Sequence, residues 1–237
     1  MAADFDPAQH FDDDLAAAYD GMIRLAIPGY EALHEMAYAL LRHLLPAAAS
    51  VFVVGAGTGQ ELVAYGAANP DWSLTGVDVS ASMLAVASGR LQEAGLEDRI
   101  RLIHGEVTAV ELERPCDAAT ALLVMHFLPD DGAKERLLRA MYERLAPGGY
   151  LLLADLTGCP GDPAFERLFA AWGQHMVDRG GDVEEVSQRL DHVRRDVCCI
   201  PEPRLVELLD GVGFSPPQRF YTAFLFNGWL TQKSAHE

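Results

Sequence analysis

Ser50-Val51-Phe52-Val53-Val54-Gly55-Ala56-Gly57-Thr58-Gly59-Gln60-Glu61 is the stretch whose reading decides the fold. A short β-branched and aromatic run meets three alternating glycines, and a helical pattern follows. That is how a buried parallel strand passes into a helix whose N-terminus faces a ligand. Glycine serves such a turn because a Cβ disfavours the backbone angles and keeps a ligand away from the main chain.

Outward from that stretch, strand and helix patterns alternate. Strands are predicted at Val51–Val54, Leu74–Val77, Ile100–His104, Ala118–Val124 and Tyr150–Ala154. Helices are predicted at 59–68, after Ser80 and at 134–145, the last ended by Ala146-Pro147-Gly148-Gly149. The almost wholly apolar fourth strand reads as buried on both faces. This alternation predicts an α/β fold with a doubly wound, mostly parallel sheet of seven strands, Rossmann-like, with right-handed crossovers. Residues 1–49 read as an N-terminal helical lid segment, with two helices separated at Ile27-Pro28-Gly29-Tyr30. Residues 50–237 read as the cofactor-binding catalytic domain, with a helical insertion at 160–200 after strand five. Gln218–Phe224 and Leu225–Gln232 read as the last strands, with Asn227-Gly228 as turn vocabulary inside the second.

Bulk composition narrows the function. The 237 residues are half hydrophobic and carry a formal net charge of −17. Such a surface repels a phosphate backbone, so a nucleic-acid partner is disfavoured. The acidic N-terminus has no apolar signal core, and no run is long enough to span a bilayer. Cys116, Cys159, Cys198 and Cys199 lack metal-ligand spacing, which predicts no metal, reduced thiols and a cytoplasmic setting.

The glycine triplet has Gln60 where a dinucleotide fingerprint places its third glycine, and alone it is a weak signal. Asp78, at the end of strand two, sharpens it. A carboxylate roughly 20 residues after the glycines can accept hydrogen bonds from both ribose hydroxyls; its plainer reading is a helix-capping aspartate. His126 after strand four and Asp155 at the end of strand five sit where doubly wound sheets bind ligands. Each is a candidate catalytic group or an ordinary loop residue. On the insertion, His175 and Trp172 are candidates for a lid over the site, whereas Phe169 and Met176 read as core. Arg194 and Arg195 are candidates for a carboxylate clamp or a solvated helix face. Tyr19, Tyr30 and Tyr221 can form an aromatic wall about a cation.

As a set, Val54-Gly55-Ala56-Gly57-Thr58-Gly59, Gly76-Val77-Asp78-Val79-Ser80-Ala81-Ser82-Met83-Leu84, His104-Gly105-Glu106-Val107 and Leu145-Ala146-Pro147-Gly148-Gly149 resemble the class I S-adenosylmethionine-dependent methyltransferases. The resemblance covers residues 50–156. It implies S-adenosylmethionine on Gly55, Ala56, Gly57 and Gly59, with Asp78 on the ribose, Val79 and Met83 beside the adenine, and Glu106 with Val107 near its amine. Val53 departs from the pattern, because an acidic residue often stands there. A narrower likeness, through Tyr19-Asp20-Gly21-Met22-Ile23-Arg24-Leu25-Ala26-Ile27-Pro28-Gly29-Tyr30, is to the carboxy-S-adenosylmethionine synthases. It implies a homodimer, with Tyr30 at the methionyl end of the cofactor. That family's cofactor-binding asparagine falls on Leu122, and its carboxylate-binding arginine falls on Leu208; leucine cannot pair a carboxylate.

The expectation is an S-adenosylmethionine-dependent methyltransferase for a small-molecule acceptor, with His126, His175, Tyr30 and Asp155 as catalytic candidates. The alternatives are chemistry on S-adenosylmethionine itself, by intramolecular cyclisation or by aminocarboxypropyl transfer, releasing methylthioadenosine, with S-adenosylmethionine alone as a possible substrate, and a non-catalytic cofactor-binding protein.

Overall fold

The computed structural model describes residues 10–234. Its centre is a seven-stranded sheet in the order β3-β2-β1-β4-β5-β7-β6. The strands are β1 (Ser50–Val54), β2 (Ser73–Asp78), β3 (Ile100–His104), β4 (Cys116–Leu122), β5 (Leu145–Leu156), β6 (Gln218–Ala223) and β7 (Phe226–Gln232). All neighbours pair in parallel except β7, which runs antiparallel to both β5 and β6. The order reverses at β1, between β2 and β4, and the predicted glycine loop leaves that switch point. The loop opens the ligand crevice of such sheets.

Among the described residues, eight α-helices cover the sheet: α1 (Asp13–Ala26), α2 (Tyr30–Leu44), α3 (Gln60–Ala68), α4 (Ala81–Glu93), α5 (Ala133–Arg144), α6 (Pro163–Asp178), α7 (Val183–Asp196) and α8 (Glu202–Val212). Alternation along β1 divides the core. Val51 and Val53 join Leu33 and Leu41 of α2, Leu62 of α3 and Phe169 and Trp172 of α6. Phe52 and Val54 join Leu138 of α5 and Leu209 of α8 on the other face. The N-terminal helices therefore share the core of one sheet face. Trp172 also donates its indole N–H to the Ala26 carbonyl at 2.5 Å, fastening the insertion to α1.

Several local expectations change. β4 stops at Leu122 rather than at residue 124, because Leu123 takes φ +65° and turns the chain. The insertion is two helices, α6 and α7, with Asp182 capping the second through its side chain. Asn227-Gly228 is strand rather than turn: the hairpin reverses at Phe224 and Leu225, with Phe224 at φ +51°. Asn227 stays in the ladder because its buried amide donates to Thr157 Oγ1 at 2.7 Å and accepts from Thr222 Oγ1 at 2.9 Å.

Candidate functional site

Two adjoining cavities open at the C-terminal ends of the central strands. The first, about 560 Å³, is lined by Gly55, Gly57, Asp78, Val79, Met83, Glu106 and Val107, together with Tyr19 and Leu122. The second, about 410 Å³, lies under α1 and α7 and includes His126, Trp172 and Arg189. Phe11, Tyr19, Leu123 and Phe127 line both, so they form the boundary between the two chambers.

The first chamber is built by the loops after β1, β2 and β3. Gly55 and Gly57 both have positive φ, +70° and +51°. A Cβ on Gly55 would stand 2.3 Å from Val124 Cγ2, so the loop can close only with glycine there. Asp78 ties the loop to the strand beside it. Its Oδ2 accepts from the Gly57 amide at 2.8 Å, and its Oδ1 accepts from the Ser80 amide at 2.9 Å. Burial pushes the Asp78 carboxyl up, and the amides of Ser80, Gly57 and Val79 pull it back toward the ionised form. A carboxylate has about four acceptor positions, so Asp78 keeps capacity for ligand hydroxyls. Ser80 caps α4 by accepting from the Met83 amide at 3.1 Å, which sets Met83 on the chamber wall.

Behind this wall lies a residue pair without a signal in the motif. Glu61, in the first turn of α3, is buried and accepts from Thr120 Oγ1 at 2.6 Å and Tyr65 Oη at 3.3 Å. Burial pushes its carboxyl up to about 7. Thr120 is the register partner of Val53. The chain thus carries a carboxyl group beside the very strand position where an acidic residue was missing, supplied from the next helix. A second tie holds α1 to the loop: Asp20 accepts from Thr58 Oγ1 at 2.8 Å and from Arg90 Nη2 at 2.6 Å. Asp20 is consequently held below the usual carboxylate range, its bonds to Arg90 and Thr58 outweighing a larger burial effect.

His126 lines the second chamber, and Asp155 meets it from behind, lining neither the first nor the second. The His126 Nδ1 lies 2.8 Å from Asp155 Oδ1, and the His126 backbone N–H donates to the same oxygen at 3.0 Å. With Nδ1 carrying the proton, Nε2 is the free base position. Asp155 Oδ2 is buried with no hydrogen-bond partner among the described residues. Lys134, also buried, donates Nζ to the Met125 carbonyl at 2.8 Å; burial lowers its pKa while the Asp155 charge opposes that shift.

The remaining predicted residues are dispersed. Tyr30 is buried against His34 at a ring separation of 4.5 Å and lines neither cavity. His175 is half-buried beside Phe224, with ring centroids 5.7 Å apart, and also lines neither. Ala56 and Gly59 shape the loop from behind, with Gly59 at φ +83° starting α3 and packed against Ala87. Of the proposed aromatic wall only Tyr19 reaches the cavities; Tyr221 instead donates its hydroxyl to the Pro28 carbonyl. Arg194 is bound to Glu166 and lies over Phe169, and Arg195 is bound to Asp196, so neither faces the chamber as a clamp. Phe169 and Met176 are core, as their spacing indicated. Leu208 is packed in the core on the opposite sheet face from Val53. Among the described residues no group of three or more His, Cys, Asp or Glu can hold a metal ion, and no helix is long and apolar enough to cross a membrane.

Comparison with known proteins bears directly on this geometry. A family described as methyltransferase domain matches residues 52–151, the glycine loop through β5. The carboxy-S-adenosyl-L-methionine synthase of Campylobacter jejuni (serotype O:2) is 32% identical over 224 residues, covering 94% of this chain and 93% of that one. The synthase of the same name from Chromohalobacter salexigens is 29% identical over 181 residues, covering 76% and 66%. Among solved structures, an O-methyltransferase family protein from Burkholderia thailandensis superposes with a TM-score of 0.67 at 17% identity, over 96% of this chain and 62% of that one. At that identity the likeness is one of fold, and this chain spans under two thirds of that larger protein. Fold, glycine loop, the Asp78 carboxylate at the end of β2 and similarity over most of the chain agree: the chain belongs to the class I S-adenosylmethionine-dependent methyltransferase superfamily, among the carboxy-S-adenosyl-L-methionine synthase-like members.

Proposed function

We propose that this protein is an S-adenosylmethionine-dependent methyltransferase acting on a small molecule, with the cofactor in the first chamber and the acceptor in the second. The observation that carries the reading is the pair of chambers meeting at Tyr19, Leu123 and Phe127, with His126, backed by Asp155, on the acceptor side. An enzyme that cyclises its cofactor with no second substrate has no need of a second chamber of this size.

The residues present fit the cofactor. Asp78 has acceptor capacity for ribose hydroxyls, the Gly55–Gly57 turn exposes main chain, and Val79, Met83 and Val107 give an apolar slot for a flat base. Bound S-adenosylmethionine supplies an electrophilic methyl: an acceptor lone pair bonds to that carbon while the carbon–sulfur bond breaks with its electrons kept by sulfur. The chain's contribution is alignment, exclusion of water and removal of a proton. His126 Nε2 takes the acceptor's proton, and Asp155 holds the ring in the tautomer that allows this. Apolar Phe11, Phe127 and Leu123 keep the boundary dry.

A second reading is favoured by the relatives' name, that of enzymes forming a carboxy-S-adenosyl-L-methionine, and it keeps the cofactor as substrate. Against it stands Leu208, which lies in the core and lines neither chamber. Mass spectrometry of the nucleoside products separates the two. S-adenosylhomocysteine formed only when acceptor is present supports methyl transfer; a modified S-adenosylmethionine, or methylthioadenosine released without acceptor, contradicts it. Cytoplasmic location and a homodimer belong to the same proposal. The first is supported by four free cysteines, and the second by the resemblance alone.

A further inference from the structure

A third and much smaller cavity adjoins His126. Met125, Lys134, Asp155 and Thr157 help to line it, and it leaves about 10 Å³ for the centre of a water molecule. That is roughly the space one water needs. Two opposite charges border this space, and the protein alone satisfies neither in full. Asp155 spends Oδ1 on the ring and backbone of His126, while its Oδ2 is buried with no hydrogen-bond partner among the described residues. Lys134, in the first turn of α5 and only 1% exposed, gives one N–H to the Met125 carbonyl at 2.8 Å. An ammonium has three N–H groups, so two remain. Among the described residues Lys134 and Asp155 form no direct ion pair, yet the carboxylate still stabilises the ammonium through space. A buried ammonium and a buried carboxylate oxygen are each costly when unpaired. One small group that accepts from the first and donates to the second removes both costs, and water is such a group.

We propose that one buried water bridges Lys134 Nζ to Asp155 Oδ2, and that Lys134 is thereby a positioning residue for His126, acting through Asp155. The inference rests on the reading of His126 as the base and adds the group that balances the charge behind it. The water accepts an N–H from Lys134 and donates an O–H to Oδ2, which leaves Oδ1 to His126. Asp155 is then held from both ends, by the water at one oxygen and by His126 at the other. The lysine's charge also opposes a second positive charge on the imidazole, so that Nε2 keeps its lone pair for the acceptor's proton. The other groups facing Lys134 are Asp130, already held by Arg204 at 2.9 Å, and the Cys198 and Cys199 thiols. Around His126 the second chamber adds His10, Glu185, Arg189 and His192. None of these reaches Asp155 Oδ2. Lys134 is the cation that shares a cavity with it.

The test has three readouts, none of which needs cofactor or acceptor, so failure of the methyl-transfer reading shows separately, in the nucleoside products. The first is a double-mutant cycle in urea with Lys134→Met, Asp155→Asn and the pair together. Each single variant leaves one buried charge without its counterpart, and the double variant removes both. The double variant's unfolding constant is therefore expected to be about tenfold smaller than independent effects would give. Independent effects would mean that Lys134 serves only the Met125 carbonyl, and would overturn the proposal. The second is ring-nitrogen NMR of His126, assigned with His126→Gln. At one fixed pH the doubly protonated fraction of His126 is expected to rise several-fold in Lys134→Met, a change that a purely structural lysine would not cause. An unchanged fraction contradicts the positioning role. The third needs no variant, and decides the matter if Lys134→Met does not fold. A crystal structure of the wild-type protein is expected to show one water within hydrogen-bonding distance of both Lys134 Nζ and Asp155 Oδ2. An empty cavity, or a direct contact between the two side chains, overturns the proposal.

Discussion

His126 and Asp155 are joined twice through one oxygen. Asp155 Oδ1 lies 2.8 Å from the imidazole Nδ1 and accepts the His126 backbone N–H at 3.0 Å. A single carboxylate thus fixes both the ring and the chain that carries it. Asp155 is a positioning residue on this account. Asp155→Asn keeps the size but offers an amide that can present N–H to Nδ1, favouring the tautomer in which Nε2 is protonated. We expect kcat to fall by about 10²-fold or more while cofactor affinity stays unchanged, within the range for loss of general-base function. A fall in cofactor affinity instead would mean that Asp155 only supports the fold.

Asp78 bridges the glycine loop and the chamber, accepting from Gly57 and Ser80 amides. Asp78→Ala removes these bonds and the proposed acceptor of the ribose hydroxyls. S-adenosylhomocysteine affinity is expected to drop at least tenfold, since hydrogen bonds to a charged group are worth about 1.5–3 kcal/mol. Titration calorimetry reads this directly. Unchanged affinity would place the ribose elsewhere.

Gly55→Ala meets two obstacles together: a backbone at φ +70° and a Cβ 2.3 Å from Val124 Cγ2. The expected loss of stability is about 1–3 kcal/mol from backbone strain alone, read in urea unfolding. Gly89, whose added Cβ meets nothing within 4 Å, is the control, and Gly89→Ala in the middle of α4 is expected to be neutral or stabilising.

Glu61 makes stability depend on pH in an unusual sense. Its carboxyl is raised to about 7 by burial, from an ordinary 4.5. A group raised on folding binds its proton more tightly in the native state. Its favourable contribution is complete below the unfolded value and is lost as pH rises through the folded one. Between pH 4.5 and 7 the wild type should therefore lose stability relative to Glu61→Gln, by up to about 3 kcal/mol. Urea unfolding of both proteins at pH 5 and pH 8 measures the change, and a constant difference across that range would show that Glu61 titrates normally.

The sheet and the first chamber were legible in the sequence because their determinants are local. Alternating apolar strands, a glycine triplet and Asp78 at a strand end each announce themselves within a few residues. What escaped depends on distant partners. Asn227-Gly228 is turn vocabulary, yet Asn227 is held in β7 by Thr157, 70 residues away. Glu61 reads as an ordinary helix residue until Thr120 of β4 arrives beside it. Arg194 and Arg195 were open between a clamp and a solvated helix face, because the phase of α7 is set by what it packs on. The periodicity of Val186, Leu190 and Val193 fixes one apolar face, and Arg189 flanks that face while Arg194 turns outward to Glu166. Tyr30 is the reverse case: its motif is present, but its ring lies buried against His34, behind the chambers.

The central claim is that a methyl group leaves the cofactor for an acceptor whose proton His126 removes. It is tested most directly by supplying methyl-labelled S-adenosylmethionine with the dialysable fraction of a cell lysate and following the label by mass spectrometry, in the wild type and in His126→Gln. The account predicts that label moves to a small acceptor with S-adenosylhomocysteine left behind, and that His126→Gln slows this by roughly 10²–10⁴-fold while still binding the cofactor. Label that stays on a modified S-adenosylmethionine, or that moves as fast in His126→Gln as in the wild type, would contradict it.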